Sequence, residues 1–271
     1  MMDSWSLMKN WNQVIPPSRP STEQLNYLTS FAKKLNKKDH VAVLGSTMEF
    51  RDLLHELGFQ NVFVFDRNKE FYEQTSKARI YANKESFIQG NWIETIQNFK
   101  NKFVLILSDL TSGNIPYDFR SQFYTDIENA LIEHGHFYDK VLTHDNFLSI
   151  DSLIAKYKAM PINNLTLNYF NCEILFCSEL ITETEKVETT KIYKYLIQLG
   201  SNSRIQKFIE LCKKNITPEG FIWYYGKLWE ELKLEYCKTL TKINELEDNE
   251  ESPYFKRVKI FHFVKKSNER I

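Results

Sequence analysis

The chain has 271 residues, 42% of them apolar and 26% charged, a composition that builds a globular core without disulfide staples. Lysine plus arginine equals aspartate plus glutamate at 35 each, which disfavours broad electrostatic capture of nucleic acid or of an anionic membrane, because both need a basic surface. No segment offers about 18 consecutive apolar residues, and MMDSWSLMKNWNQ lacks a basic stretch leading into an apolar run, so neither a membrane span nor a secretory signal is expected. The cysteines Cys172, Cys177, Cys212 and Cys237 form no C-x-x-C pair and read as buried, reduced thiols of a cytoplasmic protein.

Along the chain, Pro16, Pro17 and Pro20 in IPPSRPS force extended backbone. Ser21, with Glu23 and Gln24 behind it, predicts a capped helix start, and Leu25, Leu28, Phe31 and Leu35 continue it with helical spacing. HVAVLG is a short, valine-rich apolar run of the kind found in strands buried on both faces. MEFRDLLHELG predicts a short helix stopped at Gly58, NVFVFD a second buried strand ending on Asp66, and NKEFYEQTSKARIYAN a helix. SFIQGNW predicts a third strand ending near Gly90, and KFVLILSDL the most apolar strand, ending on Asp109. DFRSQFYTDIENALIEHG is an amphipathic helix with Gly135 as its stop, and HFYDKVLTH a fifth strand.

From about residue 151 the pattern turns helical: DSLIAKYKAM, NNLTLNYFNCEILFCSELI, TTKIYKYLIQLG, NSRIQKFIELCKKN and GKLWEELKLEYCKTLTKINEL. ELEDNEES reads as an acidic solvated loop, and PYFKRVKIFHFVKK as a late strand at a sheet edge. Four segments result: an arm and helix over 1–36, an alternating core over 37–150, a mainly helical covering region over 151–252, and a final strand over 253–271.

Strands alternating with helices between about 40 and 145 imply right-handed crossovers and a parallel sheet with helices on both faces. In such sheets ligands sit at the carboxyl ends of the strands. The residues to watch are therefore Gly45, Asp66, Gly90 with Asn91, and Asp109. A dinucleotide presses its pyrophosphate against the first turn, and three glycines clear its way. Here Thr47 and Phe50 fill the second and third glycine positions, and no Gly-Lys-Ser/Thr follows. A phosphate-free nucleoside needs only the one glycine of the turn. Asp66, 21 residues after Gly45, is then placed to accept ribose hydroxyls, since hydrogen bonds to a carboxylate are the stronger kind.

The order VAVLGSTMEFRDLL, VFVFDRN, FIQGNW, LILSDLTSG and GHFYDKVL resembles class I S-adenosylmethionine-dependent methyltransferases. It looks like the branch with a G-x-T-x-E first loop (Gly45, Thr47, Glu49) and an N-terminal Trp and P-x-R-P-S element (Trp11, PPSRPS). The resemblance covers about residues 10–150. It implies a Rossmann-like three-layer α/β/α sandwich, mostly parallel with an antiparallel late strand and a helical C-terminal embellishment, with S-adenosylmethionine as cofactor. It places Gly45, Ser46 and Thr47 at the methionine end, Asp66 at the ribose, Arg67, Asn91 and Trp92 around the adenine, and Asp109 and Leu110 near the sulfonium and substrate. The arm with Arg19 would fold over the cofactor. Many members carry an acid where Asn91 stands.

Methyl transfer is an in-line displacement from an excellent leaving group, so the protein mainly positions the reactants and excludes water. Where an acceptor needs a base, Asp109 and His144 are the candidates, with Tyr117 behind them. Asn114-Ile-Pro-Tyr117 lies five residues past the strand end and reads as a turn. His134, His136, His144 and Asp145 complete no sensible metal set. Tyr169, Phe170, Phe221, Trp223, Tyr224, Tyr225 and Trp229 suit an apolar or aromatic small-molecule acceptor, and a helical core equally. The alternatives are a non-catalytic interaction protein on the same scaffold and an NAD(P)-dependent oxidoreductase; the oligomeric state is left open.

Overall fold

The computed structural model describes residues 11, 14–16, 18–77, 84–142, 148–176, 178–181, 186–199, 203–224, 240–247 and 258–266. The candidate base His144 lies outside them, as do Trp5, Cys177, Cys237, Tyr225 and Trp229. The described strands are β1 (His40–Leu44), β2 (Asn61–Asp66), β3 (Glu85–Gln89), β4 (Phe103–Asp109), β5 (Leu131–Leu142), β6 (Lys186–Glu188), β7 (Ile222–Tyr224), β8 (Leu240–Glu247) and β9 (Val258–Lys265). Seven of them form one sheet in the order β3-β2-β1-β4-β5-β9-β8, while β6 and β7 pair separately. The first five run parallel. β9 is antiparallel to both β5 and β8. The strand order reverses between β1 and β4, and such a switch point opens a crevice at the carboxyl ends.

The alternation in the sequence sets the two faces of the sheet. Val41, Val43, Val62 and Val64 pack on one side, against Leu28 of α1 (Thr22–Ala32) and Phe50 and Leu54 of α2 (Met48–Glu56). Ala42, Leu44, Phe65 and Ile106 pack on the other. Their cover there is Ile96, just past α4 (Trp92–Thr95), and Phe123 and Ile127 of α5 (Tyr117–Ala130); α3 (Lys69–Lys77) follows β2. Both faces are dry, which explains strands that read as continuous apolar runs. The capping box forms as the sequence predicts: Gln24 N donates to Ser21 Oγ at 3.2 Å, and Ser21 N to Gln24 Oε1 at 3.3 Å. After β5 come α6 (Ile150–Ala159), α7 (Asn164–Phe176), α8 (Thr189–Leu199) and α9 (Ser203–Asn215). They share a core of their own, including Tyr157, Phe170, Tyr193 and Phe208. No helix among the described residues is long and apolar enough to cross a membrane.

Three sequence expectations are corrected. First, α5 ends at Ala130 rather than at Gly135, and β5 starts at Leu131, paired with Phe103. Gly135 is not a helix stop: a Cβ there would stand 2.9 Å from both Ile132 O and Phe103 O, so glycine is needed for close backbone approach in the irregular start of β5. Second, residues 240–247 were expected to continue a helix and begin an acidic loop. They form the edge strand β8, whose partner β9 offers ladder hydrogen bonds that outweigh the helical propensity of Leu, Lys and Glu. Third, β9 therefore lies one strand in from the edge.

A buried polar chain ties α1 to the antiparallel strands. The Tyr27 hydroxyl meets His262 Nδ1 at 2.7 Å, and His262 Nε2 lies 3.1 Å from His136 Nδ1. The Phe31 ring packs edge-on against both imidazoles. Burial, reinforced by His136, pushes His262 down to about 3, and burial, reinforced by His134, pushes His136 to about 4. Both are neutral in the fold, whereas unfolded-chain histidines titrate near about 6.5. The unfolded state thus binds more protons below that value. The stability is fully present above about pH 6.5 and falls as pH drops toward the folded values, by a few kcal/mol at most. Urea midpoints at about pH 7 and about pH 4.5 should show this loss, and His136→Asn combined with His262→Gln should flatten the dependence. An equal slope in the double variant would contradict the assignment.

Candidate functional site

The turn after β1 is built on Gly45, whose φ of +89° no β-branched or bulky residue adopts comfortably. Its N–H donates to Phe65 O at 2.8 Å, and the same carbonyl accepts the Trp92 indole N–H at 2.8 Å. Two neighbouring strand ends and Trp92 are thereby locked together around one backbone oxygen. The turn opens onto a cavity of about 350 Å³ at the carboxyl ends of β1, β2 and β4. Gly45, Ser46, Thr47, Asp66, Asp109 and Leu110 form its sheet-side wall, and Arg67, Asn68, Phe71, Gln74 and Trp92 continue it outward.

Asp66 ends β2 and is buried. Ser46 Oγ donates to its Oδ2 at 2.7 Å, and Asn68 N to its Oδ1 at 2.9 Å. The Ser46 backbone N–H also hydrogen-bonds this carboxylate, and its two oxygens, with about four lone-pair sites, keep acceptor capacity beyond these bonds. Burial raises the Asp66 carboxyl above the ordinary aspartate range, opposed by these hydrogen bonds and by the Arg67 charge. A buried carboxylate of this kind gains from further donors.

Asp109 is engaged differently. Thr47 Oγ1 donates to its Oδ2 at 3.2 Å, and the buried Lys140 ammonium pairs with its Oδ1 at 2.9 Å, as an ion pair rather than an aligned hydrogen bond. Both carboxylate oxygens therefore hold a partner, one from the first loop and one from β5. The next residue, Leu110, sits at φ +57° in the left-handed region, with its N–H donating to Lys140 O at 2.9 Å. This uncommon backbone turns the chain sharply at the cavity wall.

The N-terminal arm roofs the site through Trp11, Val14 and Ser18. Glu49, in the first turn of α2, anchors it: the Trp11 indole N–H donates to Glu49 Oε1 at 3.1 Å, and the Arg19 guanidinium pairs with the same oxygen. Arg19 also donates to Trp11 O at 3.3 Å and stacks over the Trp11 ring. Arg19 thus fastens the arm and is not part of the cavity lining. On its other side the arm meets α7, where Ile15 N donates to Asn168 Oδ1 at 3.3 Å and Ser18 Oγ lies 3.4 Å from Cys172 Sγ. Asn91 caps α4, accepting from Ile93 N at 3.3 Å, and lines a side pocket of about 40 Å³ with Arg67, Trp92 and Asn114.

The remaining wall comes from the helical region: Asn171 and Phe176 of α7, Ile216 and Thr217 after α9, and Phe221 and Trp223 at β7. The sequence pointed to Phe221 and Trp223 as aromatic but gave no sign that Asn171 and Thr217 join them, because their meeting depends on how α7 and α9 pack. Asn68 also went unnoticed; its backbone N–H closes an Asx-turn on the Asp66 carboxylate. Asn114, read as a turn residue, sits in the 3₁₀ turn Thr111–Asn114 and lines the cavity. Among the described residues no three His, Cys, Asp or Glu side chains come together as a metal site would require.

No protein-family model matches the sequence, and no curated protein does. Solved structures do match in fold. A provisionally named zinc-dependent alcohol dehydrogenase of Rhodobacter sphaeroides superposes with a TM-score of 0.58 at 14% identity, over 98% of this chain and all of the other. A provisionally named S-adenosylmethionine-dependent methyltransferase of Listeria monocytogenes gives 0.53 at 9% identity, over 88% of this chain and 97% of the other. The 1,6-didemethyltoxoflavin-N1-methyltransferase of Burkholderia thailandensis, solved with 1,6-didemethyltoxoflavin and S-adenosylhomocysteine, gives 0.52 at 10% identity, over 97% of this chain and 84% of the other. At these identities the likeness establishes the fold alone, a Rossmann-like, mostly parallel sheet between helices with β9 antiparallel to its neighbours.

Proposed function

We propose that this chain is a cytoplasmic S-adenosylmethionine-dependent methyltransferase that acts on a small molecule. The observation that carries the reading is Asp66: a buried carboxylate at the end of β2, on the wall of a cavity of ligand size, in register with a single-glycine turn. Its free acceptor capacity suits the two hydroxyls of a ribose. The turn itself suits a cofactor without phosphates. Phe50 fills the third glycine position and is fully buried between α2 and the sheet, edge-on to Tyr138. A pyrophosphate would need that helix closer to the strand, which disfavours an NAD(P)-dependent reading.

The bound cofactor would supply an electrophilic methyl group on a sulfonium. The chain's own residues supply the rest. Asp66 accepts from the ribose, Gly45 to Thr47 border the methionine end, and Arg67, Asn91 and Trp92 border the adenine. The Trp11–Ser18 arm shields the site from water. Asp109, held by Thr47 and Lys140, keeps the first loop and the β4 end in fixed relation and so serves positioning. The neighbour from Burkholderia thailandensis, with its N-methyltransferase name and bound S-adenosylhomocysteine, supports the reading by fold. The buried, unbridged Cys212 fits a reducing compartment.

Isothermal calorimetry tests the proposal. Binding of S-adenosylhomocysteine with a dissociation constant in the micromolar range, and no binding of NADH, is expected. Heat with NADH and none with S-adenosylhomocysteine would favour the oxidoreductase. No heat with either would favour a non-catalytic protein on this scaffold.

A further inference from the structure

The wall built by the helical region differs in chemistry from the sheet side of the cavity. The charged lining residues Asp66, Arg67 and Asp109 all belong to the sheet side, whereas Asn171, Phe176, Ile216, Thr217, Phe221 and Trp223 carry no charge. The aromatic rings form one surface. Phe221 and Trp223 lie nearly parallel at 5.4 Å between centroids and 17°, and Phe176 leans on Trp223 at 5.2 Å. All three remain half-exposed although they line a cavity. Aromatic faces in that state gain from a flat partner, by area and by offset stacking.

Beside them sits a polar pair that is almost fully buried. Asn171 is 2% and Thr217 7% exposed. Asn171 Nδ2 donates to Thr217 Oγ1 at 3.1 Å. The Tyr193 hydroxyl, with one proton to give, lies 3.2 Å from Asn171 Oδ1 and 3.0 Å from Thr217 O and shares it between them. Two protons then have no acceptor among the described residues: the Thr217 hydroxyl proton and the second Nδ2 proton of Asn171. A buried donor without an acceptor is costly, and a ligand acceptor group recovers that cost.

We infer that this wall is the acceptor subsite, and that it selects a neutral, planar aromatic molecule carrying a hydrogen-bond-accepting carbonyl or ring nitrogen. The ring stacks on Phe221 and Trp223, and the accepting atom takes the protons of Thr217 and Asn171. Anionic compounds are disfavoured, because this wall offers no cation and the two carboxylates lining the cavity, Asp66 and Asp109, outnumber its one guanidinium, Arg67. This inference rests on the methyltransferase reading.

The test uses the full chain saturated with S-adenosylhomocysteine and three bicyclic probes: 2-quinolone, which is neutral and carries a carbonyl; naphthalene, which lacks any acceptor; and quinoline-2-carboxylate, which is anionic. Ligand-detected NMR titration should rank 2-quinolone at least tenfold tighter than either of the others. Thr217→Val should weaken 2-quinolone about tenfold, the size of one lost hydrogen bond (about 1.4 kcal/mol), and leave naphthalene unchanged. Trp223→Ala should weaken both. Equal affinity for 2-quinolone and naphthalene, preference for the carboxylate, or indifference to Thr217→Val would each overturn the inference. The heat of S-adenosylhomocysteine binding, recorded first on every sample, separates this failure from failure of the methyltransferase reading and reports whether each variant is folded.

Discussion

Asp66→Ala is expected to weaken S-adenosylhomocysteine binding by about a hundredfold or more. Two hydroxyl-to-carboxylate hydrogen bonds are lost, each contributing on the order of 1.5–3 kcal/mol. Stability should change little, because removing a carboxylate whose burial is unfavourable is offset by leaving the Ser46 hydroxyl and the Asn68 N–H without their acceptor. Calorimetry on the variant, with thermal unfolding as the control for folding, checks both points. Wild-type affinity in a folded Asp66→Ala protein would remove the basis of the ribose assignment. The same carboxyl predicts a pH effect. It accepts two hydroxyls only when ionised, and its pKa lies above the ordinary aspartate value, so affinity should fall on acidification earlier than an exposed aspartate would dictate.

The second large effect concerns the scaffold behind the site. Arg51 of α2 is fully buried and satisfied from three sides. Its Nε donates to Glu85 Oε2 at 3.0 Å, its Nη1 to Thr75 Oγ1 at 2.8 Å and its Nη2 to Ser76 Oγ at 2.7 Å. Tyr72 lies under the guanidinium at 4.6 Å, and His55 Nε2 approaches Glu85 Oε1 at 3.1 Å. This cluster joins α2 and α3 to the amino end of β3, where Glu85 pairs with Val62. Arg51→Ala leaves the Glu85 carboxylate buried without its main partner, and removing one member of a buried pair costs about 3–5 kcal/mol. Against a total stability of about 5–15 kcal/mol, urea unfolding should show a midpoint far below wild type. A loss under about 1 kcal/mol would show that the pair is not isolated from water as described. Arg51→Leu together with Glu85→Leu should recover much of the loss, since replacing both partners by apolar groups is often close to neutral.

The sequence resolved the sheet core because its strands are buried on both faces, and HVAVL, NVFVF and FVLIL leave no room for another reading. Gly45, Asp66 and Asp109 were legible for a related reason: polar residues that end such runs must lie at the carboxyl edge, where the switch point opens. What escaped was non-local. β8 is rich in helix-forming residues and owes its conformation to β9. The start of β5 depends on the backbone of Phe103 pressing against Gly135. Lys140 sits inside an apolar strand and gains its meaning only when β5 lies beside β4 and Asp109. Arg19 pairs with Glu49, a partner 30 residues away that no local spacing reveals. Asn171 and Thr217 belong to the same class, brought together by helix packing.

A crystal of the protein soaked with S-adenosylhomocysteine tests the central claim most directly. The ribose hydroxyls should lie within hydrogen-bond distance of the Asp66 carboxylate, with the methionine end along Gly45 to Thr47 and the sulfur facing the space bounded by Asn171, Thr217 and Trp223. Density for the ligand elsewhere, or an Asp66 carboxylate bonded only to Ser46 and Asn68 at saturating ligand, would contradict it.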